Sequence, residues 1–256
     1  FQNRRSQFLK LGSQFLWASE LKSILKSLPI QPDICRDGLN LFFRLTYIPA
    51  PFTIYQDIHK LEPNSYIEYD LTTFSLKTHQ IHDTKPLKRS SLSFDSAKIQ
   101  VKDKVYKSVE SRSVSDVPLG TFLSGGVDSS VVSYCLADMT DSKIDTFSIG
   151  FEKASYDETD KSRIVAKLIN SNHHEFIISE KDLKHNIEDI ILNFDEPFAD
   201  SSSLPTYLVS KKTKSHVKVA LTGDGGDEVF GGYNKYYIGK LNRKYTAMVP
   251  KLIHQK

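Results

Sequence analysis

Phe122-Leu123-Ser124-Gly125-Gly126-Val127-Asp128-Ser129-Ser130 reads as the end of a buried strand, a two-glycine turn and the start of a helix. Ahead of it, Pro118 to Leu123 is short, apolar and β-compatible. Behind it, Val127, Val131 and Cys135 recur at i, i+4 and i+8, with Val132, Leu136 and Met139 on the same flank. That spacing predicts a helix with one apolar face. A Gly-Gly pair between strand and helix lets backbone N–H groups turn inward as an anion nest, and the helix N-terminus adds its dipole. The serines supply hydroxyl donors, and Asp128 is placed to hold a cation. Together they predict a pyrophosphate cradle with a metal ligand inside it.

Two other phosphate and acyl-transfer motifs are absent. No G-x-x-x-x-G-K-[ST] match occurs in the chain, which excludes a P-loop of that type. No G-x-S-x-G elbow occurs either, so Ser124 is a poor covalent nucleophile.

The 256 residues allow one large domain or two smaller ones, and 39% hydrophobic residues with 15 Phe and 12 Tyr suffice for a core. A net charge of only +3, with lysines scattered, gives no case for nucleic acid or a membrane surface. No apolar run has the length of a membrane span. Cys35 and Cys135 lack C-x-x-C spacing and are expected to be buried thiols in a reducing, cytoplasmic setting. The chain starts at Phe1 without Met and is expected to be part of something longer.

Residues 1–84 read as short strands, turns and two small helices. Gln14 to Trp17 is strand-like, Ser19 to Leu25 a capped helical turn stopped by Pro29, and Asp37 to Arg44 a second helix. Tyr47-Ile48-Pro49-Ala50-Pro51 reads as an extended connection. Tyr66, Glu68 and Asp70 alternate with Ile67, Tyr69 and Leu71 in a strand. Lys85 to Asp95, polar and with a proline, reads as a linker.

From about Phe94 the rhythm becomes helix–strand alternation. Val101, Val105 and Val109 mark a helix, Ile144 to Phe151 a strand, and Ile164, Val165, Leu168 and Ile169 a helix. His174 to Ile178 is a strand, Leu183, Ile187, Ile190, Ile191 and Phe194 line a helix, and Leu204, Tyr207 and Leu208 another. Val217 to Leu221 is the last strand. Such alternation predicts an α/β fold, a mostly parallel sheet with flanking helices, whose ligands sit at the carboxyl ends of strands.

A second constellation follows that last strand. Thr222-Gly223-Asp224-Gly225-Gly226-Asp227-Glu228-Val229-Phe230-Gly231-Gly232-Tyr233 packs five glycines and three carboxylates into twelve residues. If the two loop-bearing strands are parallel neighbours, this loop lies beside Ser124 to Ser130, and Asp227 could share a Mg²⁺ with Asp128. A calcium loop of the EF-hand kind does not match its ligand spacing. His173-His174 has no third ligand nearby and reads as structural. Tyr236-Tyr237 reads as packing, and Asp195-Glu196 as a turn cap or an aid to substrate or ammonia handling.

SGGVDSS, TFSIGF, DEPFADSSSLPTYLVS and TGDGGDEVFGGY, in this order, resemble the synthetase domain of glutamine-hydrolysing asparagine synthetases. Those enzymes belong to the N-type ATP pyrophosphatase group with its PP-loop. WASELKSIL and YIPAPFTIYQDIHKLEPNSYIEYD resemble the end of the same family's Ntn glutaminase domain. The resemblance implies a glutaminase part over 1–84 and a synthetase part over 85–256. It implies that aspartate is adenylated by ATP to β-aspartyl-AMP with release of pyrophosphate, and that ammonia from glutamine then displaces AMP. By motif position it assigns Ser124, Gly125, Gly126, Ser129 and Ser130 to pyrophosphate and Asp128 and Asp227 to Mg²⁺. Leu123, Ile149, Thr222 and Gly223 are assigned to the adenosine side. Asp224, with Asp128 and Asp227, is the candidate for catalysis. The implied partners are ATP, aspartate and glutamine or ammonia, with neither nucleic acid nor membrane, and a homodimer is compatible.

The chain departs from the family pattern in several places. Phe1 is not the family's N-terminal cysteine nucleophile, and neither Cys35 nor Cys135 stands in its place, so the 256 residues alone are expected to lack glutaminase activity. Asp224 stands where other members carry Glu, and Ser203-Leu204-Pro205 lacks an Arg that some members place before the proline. The family's catalytic Lys is expected beyond Lys256. Three rival readings stay open at the level of sequence. One is a relative that amidates or cyclises another carboxylate, as a polysaccharide-modifying amidotransferase or β-lactam synthetase does. Another is a PP-loop enzyme that adenylates a nucleic-acid base, and the last a piece that binds ATP without turnover.

Overall fold

The computed structural model describes residues 6–82, 89–152 and 159–249. It divides into two compact units. One comprises the chain up to Ser91 together with Lys181–Tyr207; the other comprises Leu92–Glu180 and the chain from Leu208 onward.

In the first unit, β1 (Gln7–Leu11) pairs antiparallel with β2 (Gln14–Ala18) on one side and with β3 (His59–Lys60) on the other. Helix α1 (Leu21–Ser27) buries Leu21 and Ile24 against Leu9, Ile48, Ile54 and Ile58. Helix α2 (Arg36–Leu45) starts where the Cys35 Sγ accepts from Gly38 N–H and stops at Thr46, whose φ of 68° leaves the helical region. Residues β4 (Ser65–Tyr69) and β5 (Leu76–Gln80) form a separate antiparallel hairpin. The alternation expected from Tyr66 onward is present as far as Tyr69, with Ile67 and Tyr69 turned inward, whereas Leu71 falls in the turn and is exposed. Tyr47 to Pro51 is a bend and turn rather than an extended stretch. Cys35 is half-buried, not buried, because its sulfur works at the rim of α2.

The second unit is built on a four-stranded sheet in the order β8-β7-β6-β9, with every neighbour parallel. Its strands are β6 (Leu119–Phe122), β7 (Asp145–Phe151), β8 (Asn172–Ile178) and β9 (Val219–Leu221). Helix α3 (Phe94–Ser113) begins at Ser93, whose hydroxyl accepts from Ser96 N–H. On the α3 side, Val109 packs with Cys135 and Leu136 of α4 (Val127–Asp138) and with Ile144. Helix α5 (Thr159–Leu168) packs on β7 and β8. Phe147 belongs to a different cluster, with Val209 and Val217, which also takes in Phe122, Ile149 and Phe176. Val209 lies on α7 (Ser203–Thr213), which follows α6 (Glu180–Asn193) in the chain. This is the expected parallel sheet with flanking helices. The short α8 (Gly226–Phe230) and the longer α9 (Asn234–Met248) come after β9.

The element types follow the sequence; the buried faces of several helices do not, and on α6 Ile187 and Ile191 are exposed while Asn186 is buried. Val127 at the start of α4 is 78% exposed and Val131 is exposed too, whereas Ser129, Ser133, Cys135 and Leu136 are buried. The reason is a hydroxyl seam beneath the sheet. Ser133 Oγ lies 2.7 Å from Thr121 Oγ1 of β6, and both are fully buried. Two small hydroxyls that satisfy each other let helix and strand approach closely, which two valines could not do at that spot. Helix α5 behaves alike: Ile164 and Leu168 are exposed while Thr159, Ser162 and Ala166 are buried. The seam continues through Thr146, whose Oγ1 is 2.8 Å from Ser171 Oγ and 2.9 Å from His173 Nδ1, while Ser148 Oγ is 3.2 Å from His173 Nε2. His174 sits beside Asp145, 2.9 Å from its Oδ1, and stacks on Phe147. Tyr236 and Tyr237 are exposed rather than packed among the described residues. Of the stretch 85–95 read as a linker, 85–88 lie outside the described residues and Phe94 and Asp95 already belong to α3.

Candidate active site

Strands β6 and β9 are parallel neighbours, with Leu119, Gly120 and Thr121 in register with Val219, Ala220 and Leu221. The loops that follow them therefore leave the same carboxyl edge of the sheet side by side. Parallel pairing alone forces this, since both chains run the same way.

The first loop is anchored at its root and open at its tip. Leu123 is fully buried, and its N–H donates to Phe147 O at 2.8 Å, so the chain leaves the strand layer only after that residue. Ser124 N–H donates to Ser129 Oγ at 3.2 Å, and the two serine hydroxyls are 2.9 Å apart. Gly126 N–H donates to Ser124 Oγ at 3.3 Å, while Ser129 Oγ donates to Gly126 O at 3.2 Å. Gly125 has φ +83°, and a β-carbon there would lie 2.6 Å from Lys161 Cβ and 2.8 Å from Ser162 N on α5. Both the dihedral and the crowding require glycine. The α4 N-terminus carries no side-chain cap at Gly126. Its first N–H groups and dipole therefore face the loop without a side-chain competitor.

The second loop closes on the first. A β-carbon on Gly223 would come within 2.6 Å of Ser129 N and 2.9 Å of Asp128 C, so backbone meets backbone here. The Asp128 carboxylate occupies the space that a side chain on Gly226 would need, and Asp227 is the next residue. The carboxylate of Asp227 itself lies against Gly232, and Gly232 N–H donates to Asp227 O at 3.0 Å. Thr222 Oγ1 accepts from Asp224 N–H at 3.3 Å, and Asp224 is exposed. Glu228 accepts from Tyr233 O–H at 2.8 Å; this bond holds the carboxyl below its usual range and pushes the phenol up to about 12.

The structure thus brings Ser124, Gly125, Gly126, Asp128, Ser129 and Ser130 together with Gly223. Ile149 is half-buried on β7, the strand beside β6, and Asp224 stands off in solvent. One atom gives the cradle a chemical direction. Ser130 Oγ is buried and has no hydrogen-bond partner. A buried hydroxyl left unpaired is costly, and a bound anion or metal-bound oxygen is the partner such a site takes. Among the described residues, no group of three or more His, Cys, Asp and Glu side chains is arranged for a metal. A divalent ion here would need phosphate oxygens to complete its shell, which suits Mg²⁺ with one or two carboxylates. Lys161 and Ser162, at the first turn of α5, also border the cradle. No motif in the sequence marks them; only the left-handed Gly125 brings them in.

Comparisons with known proteins show the family. A family model described as asparagine synthase matches residues 100–255, and one described as glutamine amidotransferase domain matches residues 8–80. A Methanocaldococcus jannaschii protein, provisionally named glutamine-hydrolysing asparagine synthetase 2, is 40% identical over 94% of this chain and 47% of its own. Asparagine synthetase 1 of Bacillus subtilis, named as glutamine-hydrolysing, is 34% identical over 90% of this chain and 36% of its own. The chain therefore spans about half or less of the length of these relatives. A solved structure of the NH3-dependent NAD synthetase from Campylobacter jejuni aligns with a TM-score of 0.38 at 13% identity, over 56% of this chain and 62% of that one, which is too little to carry an argument. Among the described residues, no helix is long and apolar enough to cross a membrane.

Proposed function

This chain belongs to the asparagine synthase family, and we propose that the whole protein is a ligase that spends ATP to amidate aspartate, with ammonia drawn from glutamine. The observation that carries the reading is the cradle at the carboxyl edge of β6 and β9, with its unpaired, buried Ser130 hydroxyl. The match of residues 8–80 to the glutamine amidotransferase model supports glutamine as the nitrogen source.

The residues suit an adenylation. A side-chain carboxylate oxygen of aspartate attacks the α-phosphorus of ATP, the bond from that phosphorus to the bridging oxygen breaks, and pyrophosphate leaves. Ammonia then attacks the acyl carbon of β-aspartyl-AMP, loses a proton, and AMP departs. Negative charge grows on the bridging oxygen in the first step. The Ser130 hydroxyl and the Gly125 N–H would stabilise it, joined by the Ser124, Ser129 and Gly126 donors once these turn from one another to the phosphate. No general acid is needed, because pyrophosphate leaves as an anion. Leu123, Ile149, Thr222 and Gly223 would border the adenosine half. Asp128 and Asp227 would hold Mg²⁺, which supplies charge neutralisation to the phosphates when bound. Asp224, exposed and one methylene shorter than Glu, would serve proton transfer only after the acceptor is in place.

The test is product analysis on the whole protein with ATP, ammonium and a panel of carboxylates. The proposal predicts AMP and pyrophosphate in equal amounts with asparagine, and only when aspartate is supplied. ADP and phosphate as products, or turnover of a different carboxylate, would contradict it.

A further inference from the structure

We propose that the N-terminal unit has a second role, as the scaffold of a strap, Asp195–Ala199, with the buried Lys60 as the residue that positions it. The strap belongs to the stretch that matches the asparagine synthase model, whereas Lys60 belongs to the stretch that matches the glutamine amidotransferase model. Yet the strap packs within the N-terminal unit, along with the rest of Lys181–Tyr207.

Lys60 is 2% exposed, at the end of β3. An ammonium so deeply buried must be paired and hydrogen-bonded to stay charged. Its Nζ donates to Ile48 O at 2.6 Å and to Glu196 Oε1. The other oxygen of Glu196 accepts from Ile54 N–H at 3.3 Å. The neighbouring carboxylate repeats the pattern. Asp195 Oδ2 accepts from Leu21 N–H at 2.7 Å, at the first turn of α1, where the N-cap Glu20 offers no side-chain cap of its own. The cap comes instead from a residue 174 positions away. Lys22 Nζ stands 3.7 Å from the other Asp195 oxygen. Ala199 N–H donates to Thr46 O at 2.9 Å, at the residue that ends α2. Phe194 and Phe198 meet edge to face across the bend at Asp195 and Glu196.

Each contact serves a group outside the strap: the start of α1, the end of α2, the Ile54 amide and a buried cation. In return, those groups anchor Asp195 and Glu196 from outside their own segment. The dependence is mutual, so ordering one side favours ordering the other. An exposed ion pair would carry little of this. The burial of Lys60 is what gives the pair its weight, since removing one partner takes a hydrogen-bonded countercharge from a group shielded from water.

The experiment is amide hydrogen exchange on the whole protein without substrates, so that its outcome does not depend on the catalytic reading. Lys60→Met and Glu196→Gln are each expected to raise exchange at the Ala199 and Ile54 amides by about a hundredfold or more, while the β1–β2 ladder keeps the parental rate. The double variant Lys60→Met with Glu196→Gln is expected to recover most of the loss, because neither charge then stands without the other and glutamine keeps an acceptor for Ile54 N–H. If Lys60→Met does not fold, Glu196→Gln, which keeps shape and removes only charge, decides the matter by itself. Parental exchange in the strap of the variants that fold would overturn the proposal. So would a rise shared equally with the β1–β2 ladder, which marks general destabilisation.

Discussion

At the scale of single residues, closeness of backbone decides what the site tolerates. Gly223 is the contact point between the two loops, and an alanine there would drive a β-carbon to 2.6 Å from Ser129 N. A main-chain atom cannot swing aside as a long side chain can. Gly223→Ala is therefore expected to cost about 1–3 kcal/mol of stability. Displacing the cradle should also lower pyrophosphate exchange on the order of a hundredfold. Equal exchange in parent and variant would show that the loops need not touch. His173 supports a different expectation. Burial pushes its imidazole below the ordinary value, against a smaller opposing pull from Glu175. The unfolded chain then takes up a proton more readily than the folded one, so stability is full above the ordinary histidine range and is lost as pH falls through the folded value. Urea midpoints should drop on acidification from neutral pH, and His173→Gln should flatten that slope; the same slope in both proteins would remove His173 as a cause. The SGGVDSS residues could be read from the sequence because their types name their chemistry. Lys161 and Ser162 could not, because only the left-handed turn at Gly125 brings α5 beside them.

At the scale of elements, period and order were legible but burial was not. Strands and helices of the second unit appear where alternation places them, since apolar runs between turn signals leave few other options. The inward face of α4 was hidden because the sheet offers it Thr121 instead of an aliphatic residue. A hydroxyl paired with a hydroxyl buries as well as a methyl does, yet it looks like surface in a hydropathy pattern. This makes Ser133 a structural residue. Ser133→Ala should leave Thr121 Oγ1, fully buried, without its partner and cost about 1–3 kcal/mol in chemical denaturation. Adding Thr121→Val should return part of it, and a neutral Ser133→Ala would show that water or another group takes the serine's place.

At the scale of the molecule, the chain carries two family stretches and two compact units, and they do not divide it at the same places. Parallel order of β6 and β9 brings two glycine-rich loops to one edge; helix–strand alternation predicts the parallel direction but not that these two strands are neighbours. The attachment of residues 181–207 to the N-terminal unit does not, because the anchors are one buried lysine and two carboxylates far away in sequence. The central claim remains that the cradle holds the pyrophosphate of ATP while a carboxylate is adenylated, with Asp128 acting through its charge. Aspartate-dependent ATP–pyrophosphate exchange by the whole protein, measured for Asp128→Asn beside the parent over a range of Mg²⁺ concentrations, tests this most directly. Asparagine keeps the size and one acceptor oxygen, so the account predicts an unchanged melting temperature. Exchange should fall on the order of a hundredfold, with only part of it recovered at high Mg²⁺. Exchange at the parental rate in Asp128→Asn would contradict it.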